Sequence, residues 1–158
     1  MVSEELASFI ESGVTILVGS RDQRLVPECM RALGVRVEPG REELTLFLPA
    51  ATSAVTVANL LDNGRVAACF TRTEDHRSIQ VKGSLVRLAD ADESDRAAVS
   101  AYRPALARNL GFVGLPARTT FRLAHWPCHA VRMRVESVFV QTPGPGAGDR
   151  LATAGAAR

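Results

Sequence analysis

The strongest constraint on the fold lies in the first fifty residues, where three extended stretches follow one another with only short polar turns between them. Val14 to Gly19 reads as a buried strand, Leu25 to Glu38 as a second extended stretch, and Leu44 to Leu48, stopping at Pro49, as a third. Their joints are Ser20-Arg21-Asp22-Gln23-Arg24 and a turn at Pro39-Gly40. Parallel neighbours need a crossover of about a dozen residues or more, so joints this short force an antiparallel meander and disfavour a doubly wound α/β sheet. Pro27 lacks an amide hydrogen, which sends part of the second stretch to an edge or a bulge.

Helical spacing punctuates this pattern. Ser3 caps a short first helix with Leu6, Phe9 and Ile10 on one face. Thr52 or Ser53 caps a helix in which Ala54, Val57, Ala58 and Leu61 share a face and Asn63-Gly64 supplies the stop. Arg65 to Arg72 then alternates as a strand, and Ser78 to Leu88 as a longer one, with Ile79, Val81 and Leu85 on one side and Gln80, Lys82 and Ser84 on the other. Gly83 interrupts the apolar side and marks a bulge, a barrel bend or a close backbone approach. Asp92 caps a further helix with the stripe Val99, Tyr102, Leu106 and Leu110, which Pro104 either kinks or divides. Thr119 to Leu123 reads as another strand, and His129 to Gln141 as the last, with a change of phase around Ser137 that a bulge would explain. The expected fold is mainly antiparallel β with peripheral helices, a six- or seven-stranded closed or split β-barrel over residues 1–141. Residues 142–158, rich in Pro, Gly and Ala, read as a C-terminal tail.

Composition narrows the partners. The 158 residues are 46% hydrophobic and 23% charged with a net charge of +2, ordinary globular values with no strong nucleic-acid or anionic-membrane footprint. Lys82 is the only lysine among 19 basic side chains, a bias that reflects coding composition before chemistry. The start of the chain carries Glu4, Glu5 and Glu11 with no basic region before an apolar run, unlike a secretory signal. No apolar run reaches the roughly 18 residues a membrane span needs, and the expected location is the cytoplasm. Cys29, Cys69 and Cys128 are too widely spaced for a zinc or dithiol motif and read as reduced structural thiols.

Three motifs carry candidate chemistry. Gly144-Pro145-Gly146-Ala147-Gly148 lacks the GK[ST] step and following helix of a phosphate loop. His125-Trp126-Pro127-Cys128-His129 reads either as a metal or haem site or as a turn into the last strand. Asp75-His76-Arg77 reads either as a solvated hairpin turn or as a barrel-rim site, with His76 an acid or base and Arg77 an anion holder.

The passages ILVGSRDQRLVPECMRALGVRVE and ELTLFLPAATSAVTVANLLDNGRVAACFTRTEDHRSIQVKGSLVRL together resemble the pyridoxamine 5′-phosphate oxidase-like family of FMN-binding split barrels. The likeness spans roughly Val14 to Leu88, and the closing strand with its QTPGPGAG tail resembles an uncharacterised branch of that family. It implies a homodimer with FMN in clefts between subunits, the segment Pro49 to Thr56 facing the phosphate and Ser78 to Gly83 flanking the ring or ribityl chain. The oxidases place a Ser-Arg-Lys set at that helix start, where this chain has Ala54, Val55 and Thr56, so both cations are missing.

A phosphate dianion in a cleft needs charge-assisted donors, and Arg21 or Arg77 would have to supply them from another direction. The resemblance therefore implies an FMN-dependent oxidoreductase moving a hydride to or from a small molecule, and not a pyridoxamine 5′-phosphate oxidase itself. Ser20, Arg21, Thr52, Ser53 and Thr56 are the candidates for the phosphate, with Arg77, Gln80 and Lys82 near the ring or its substrate. The alternatives are a barrel that has lost FMN and serves as a binding or regulatory protein, or one that holds deazaflavin or haem, the latter through His76, His125 or His129.

Overall fold

Seven strands form one antiparallel sheet in the computed structural model, which describes residues 1–151. They are β1 (Thr15–Arg21), β2 (Pro27–Ala32), β3 (Val35–Val37), β4 (Glu43–Pro49), β5 (Arg65–Thr71), β6 (Ser78–Asp90) and β7 (Cys128–Val140), in the spatial order β2-β1-β5-β6-β7-β4-β3. The extended stretch expected from Leu25 to Glu38 is two strands bent at Leu33-Gly34, and that bend closes the sheet. Its first half pairs with β1 and its second half with β4, bridged by Leu33 N–H to Phe47 O (2.9 Å) and Phe47 N–H to Gly34 O (3.0 Å). The result is a split barrel filled by Ile16, Val18, Leu46, Phe70, Val81 and Met133, each fully buried.

Helices close the ends and cover one side. In α1 (Glu4–Glu11), Ser3 accepts from Leu6 N–H, and Leu6, Phe9 and Ile10 turn inward. β4 is buried on both faces, because α3 (Glu93–Gly111) lays Val99 against Phe47 on the outer side. A capping box between Asp92 and Asp95 opens α3, which runs through Pro104 as one helix. The carbonyl freed there belongs to exposed Ser100, on the solvent side. Arg36 ties α3 to the barrel through Asp95 (2.6 Å) and Glu38 (3.1 Å), and Thr45 Oγ1 donates to Glu38 (2.5 Å).

Two expectations are corrected. Thr119 to Leu123 is not a strand: α4 (Ala117–Phe121) begins after Pro116 and packs on α3, so helix packing overrides the β preference of Thr119-Thr120. In α2 (Ala54–Asn63), the face that turns inward is Thr56, Asn59 and Leu60, while Ala54, Ala58 and Leu61 are exposed. The reason is polar: Asn59 Nδ2 donates to inward-facing Ser20 Oγ (3.1 Å) and Asn63 Nδ2 to Arg21 O (2.7 Å), which fixes the helix rotation against its apolar stripe. Beyond residue 141 the chain turns back, and β8 (Arg150–Leu151) pairs with Phe139 and Val138 of β7. The rest of the expected tail, 152–158, lies outside the described residues.

Candidate functional site

Two irregularities in the β6–β7 ladder shape the outer wall of the barrel. Lys82 pairs with Ser137 and Gly83 with Val135, so Glu136 is the extra residue of a bulge on β7. Gly83 is obligatory there, since a Cβ at this position would lie 1.8 Å from Arg134 O. The bulge turns Glu136 toward β5, where it pairs with Arg65 (3.0 Å). The phase change around Ser137 is the sequence trace of this feature.

Beside the bulge is a cleft of about 540 Å³ with Gly19 and Ala67 in its floor and Arg21, Arg65, Lys82 and Ser137 around it. That volume lies within the ordinary range for small-molecule sites, about 300–1,000 Å³. The floor follows from register: Gly19 pairs with Ala67, and Ala67 with Lys82, so small residues from β1 and β5 share a row with a cation from β6. Gly19 and Lys82 are two strand spacings apart, about 9–10 Å. Arg65 is neutralised by Glu136, whereas among the described residues neither Arg21 nor Lys82 pairs with a carboxylate. Arg21 donates to the Asp22 carbonyl (3.0 Å), and the Lys82 ammonium sits 4.8 Å from the centre of the Phe139 ring. The cleft therefore offers a small-residue floor, on which a planar group can approach the sheet, and two uncompensated cations suited to a phosphate or carboxylate.

The residues singled out from sequence divide among four places. Arg21 and Lys82 meet at the cleft, and Gln80 lies two residues along the same outward face of β6. Ser20 borders the cleft, but its Oγ turns inward to Asn59. Ser53 and Thr56 are buried at the barrel end, their hydroxyls without hydrogen-bond partners among the described residues. Thr52 lies at a separate pocket with Met30, Pro49 and Leu123. Arg77 is at the far end of β6, about five residues or 17 Å along the strand from Lys82. It is bound to Glu5 (2.7 Å) and stacked on Phe9 at 4.7 Å. Arg65, Glu136 and Ser137 were not foreseen: Arg65 comes to this wall from the start of β5, and the β7 bulge turns Glu136 toward it and sets Ser137 opposite Lys82.

Two of the three histidines have local side-chain partners. His125 Nε2 faces an Arg103 nitrogen at 3.0 Å and its Nδ1 faces Leu123 O, while His129 Nδ1 meets Asp90 at 3.1 Å. The Asp75-His76-Arg77 turn is braced by Arg72, which holds the Asp75 carboxylate and pushes its pKa well below the usual range. Among the described residues, no group of three or more His, Cys, Asp or Glu is placed to hold a metal ion, and no helix is long and apolar enough to cross a membrane. The Cys128 thiol donates to His125 O (2.8 Å), and burial pushes its pKa up to about 11.

No family model and no curated protein matches this chain. Solved structures do match. HupZ of Group A Streptococcus superposes with a TM-score of 0.59 at 18% identity, over 94% of this chain and all of that one. An FMN-binding protein from Syntrophomonas wolfei gives 0.54 at 14% identity, over 85% of this chain and 82% of that one. An F420 reductase gives 0.53 at 14% identity, over 87% of this chain and 98% of that one. The expected fold, a pyridoxamine 5′-phosphate oxidase-like split barrel, is the fold these likenesses show.

Proposed function

We propose that the chain binds a phosphorylated flavin, FMN or a deazaflavin, in the cleft beside the β7 bulge and uses it in hydride exchange with a small molecule. The observation that carries this reading is the juxtaposition of two uncompensated cations, Arg21 and Lys82, with a floor of Gly19 and Ala67. The residues fit such a group: the small-residue floor would leave room for a planar ring, and Arg21 and Lys82 would hold the phosphate that Ala54 and Val55 at the start of α2 cannot. The solved likenesses include an FMN-binding protein and an F420 reductase, which supports the flavin class without choosing within it.

When bound, the flavin supplies the redox chemistry. The chain's own part is to orient it and set its surroundings. Lys82 would leave the Phe139 face for the anion, and Gln80, one side-chain row along, would present an amide donor and acceptor to the ring. The exposed Leu17, on the same outer face of β1 as Gly19, suits burial against a second copy of the chain, and we place the cleft at the rim of a homodimer.

The test is an absorbance spectrum of the purified protein, followed by titration of FMN and of a deazaflavin while flavin fluorescence is read. Arg21→Ala and Lys82→Ala should each weaken binding about 10- to 100-fold, from the ~1.5–3 kcal/mol of a charge-assisted hydrogen bond. Thr56→Ala should leave it unchanged, because that hydroxyl is buried. No binding of either flavin at tens of micromolar would leave the reading of a barrel that has lost its flavin, which the uncharged start of α2 favours.

A further inference from the structure

On the other side of β1 from the flavin cleft is a second cavity, of about 340 Å³, to which nothing above gives a role. Arg31, Cys29 and Thr52 supply its polar lining, and Leu33, Pro49 and Leu123 its apolar wall. Register fixes its relation to the cleft: Cys29 on β2 pairs with Gly19 on β1, and Gly19 is in the cleft floor, so the two sites are lined by neighbouring strands.

Arg31 is the unusual feature. It makes no ion pair among the described residues, and its Nη1 is buried without a hydrogen-bond partner. That nitrogen is turned away from the cavity, so the donors Arg31 offers there are its other guanidinium N–H groups, which no carboxylate among the described residues occupies. Backbone donors lie on the same side. Leu33 N–H turns to Phe47 O, away from β1. By strand alternation the amides of Arg31 and Cys29 face that way too, along the stretch of β2 that β4 does not cover. Glu28 also borders the cavity, but it lies on the opposite face of β2 from Arg31 and forms no ion pair with it.

We infer that this cavity binds a small carboxylate with an apolar body, its carboxylate on the Arg31 guanidinium and its hydrocarbon against Leu33, Pro49 and Leu123. Guanidinium matches a carboxylate with two parallel hydrogen bonds, and the apolar wall selects against a bare inorganic anion.

The experiment uses the full chain without added flavin and benzoate as the probe, with benzamide as its uncharged counterpart, followed by saturation-transfer NMR and calorimetry. Benzoate should bind in the millimolar range or tighter, and benzamide at least tenfold more weakly. Arg31→Gln should reduce benzoate affinity at least tenfold, with the thermal midpoint recorded to establish that the variant is folded. Ala124→Phe fills the cavity from an exposed position without altering the core, so it keeps the test decisive if Arg31→Gln does not fold; it should abolish binding. Arg21→Ala, at the other cleft, should not change it. Absence of benzoate binding, equal affinity for benzamide, or indifference to both cavity variants would each overturn the site. Benzoate binding without any flavin binding would retain the carboxylate site and sink the flavin reading.

Discussion

Gly83→Ala tests whether the β7 bulge organises this protein. The added Cβ would sit 1.8 Å from Arg134 O and 3.0 Å from both Arg134 C and Met133 Cε, and two of those three atoms are backbone. Carbon and oxygen approach to about 3.3 Å at closest in sheets, so β6 and β7 must separate by roughly 1.5 Å. No side-chain rotation can relieve the clash. Overpacking of this kind costs about 1–3 kcal/mol, and one ladder hydrogen bond lost at the bulge adds about 1 kcal/mol, which brings the total to roughly 2–4 kcal/mol. For a chain of this size that is a fall of roughly 4–16 °C in the thermal midpoint.

Urea unfolding followed by circular dichroism would read it as a lower midpoint at unchanged slope. Gly111→Ala is the control: nothing lies within 4 Å of its added Cβ and the position is helical, so the same chemical change should be neutral or stabilise by up to about 1 kcal/mol. A Gly83→Ala protein within 1 kcal/mol of the wild type would refute the close approach and the cleft geometry built on it. If the variant folds, it should also lose flavin affinity, because Lys82 and Ser137 are paired at the displaced step.

Thiol labelling of the native protein should proceed in the order Cys29, then Cys69, with Cys128 silent until unfolding, since they are exposed, half-buried and buried. Burial raises the pKa of Cys69 and takes that of Cys128 to about 11, so both stay as unreactive thiols at neutral pH; rapid native labelling of Cys128 would contradict its placement. Tyr102, whose hydroxyl donates to Val14 O at 2.6 Å, has its pKa pushed well above the usual 10 by burial. A raised value in the folded state means a contribution fully present below about pH 10 and lost as pH rises from there through the raised value. Tyr102→Phe should therefore cost about 1–3 kcal/mol at neutral pH and flatten the fall in stability measured from pH 9.5 to 11.5, and an unchanged alkaline slope would refute the burial argument. Arg36→Met should destabilise by about 1–3 kcal/mol in chemical denaturation, because Glu38 and Asp95 would lose their cation, a loss that water at the half-exposed Arg36 position moderates. Asp95→Asn in that background should recover part of the loss.

Local rules written in the chain decide much of this fold. Short turns between the first three strands require antiparallel pairing, Ser3 and Asp92 cap their helices, Gly64 takes the left-handed conformation that ends α2, and the apolar alternation of β6 and β7 selects the faces that turn inward. Even the bulge leaves a trace, because one extra residue inverts the alternation after it.

What the chain does not reveal locally depends on contacts between distant residues. The bend at Leu33-Gly34 takes its meaning from Phe47, which joins the two edges of the sheet. The rotation of α2 is set by Ser20 and Arg21 on another element, and these hydrogen bonds outrank a stripe of Ala and Leu that points the other way. Thr119-Thr120 has β propensity and becomes helical because α3 offers a packing surface. The candidate site follows the same division. Sequence could propose Arg21, Arg77 and Lys82 as cations, but charge pairing is a property of the folded surface: Glu5 neutralises Arg77, Glu136 neutralises Arg65, and only then do Arg21 and Lys82 stand out together at one cleft. Periodicity and turn chemistry are read within a few residues, so the sequence carries them; which charges remain unpaired is decided by neighbours dozens of residues away, so only the tertiary structure does.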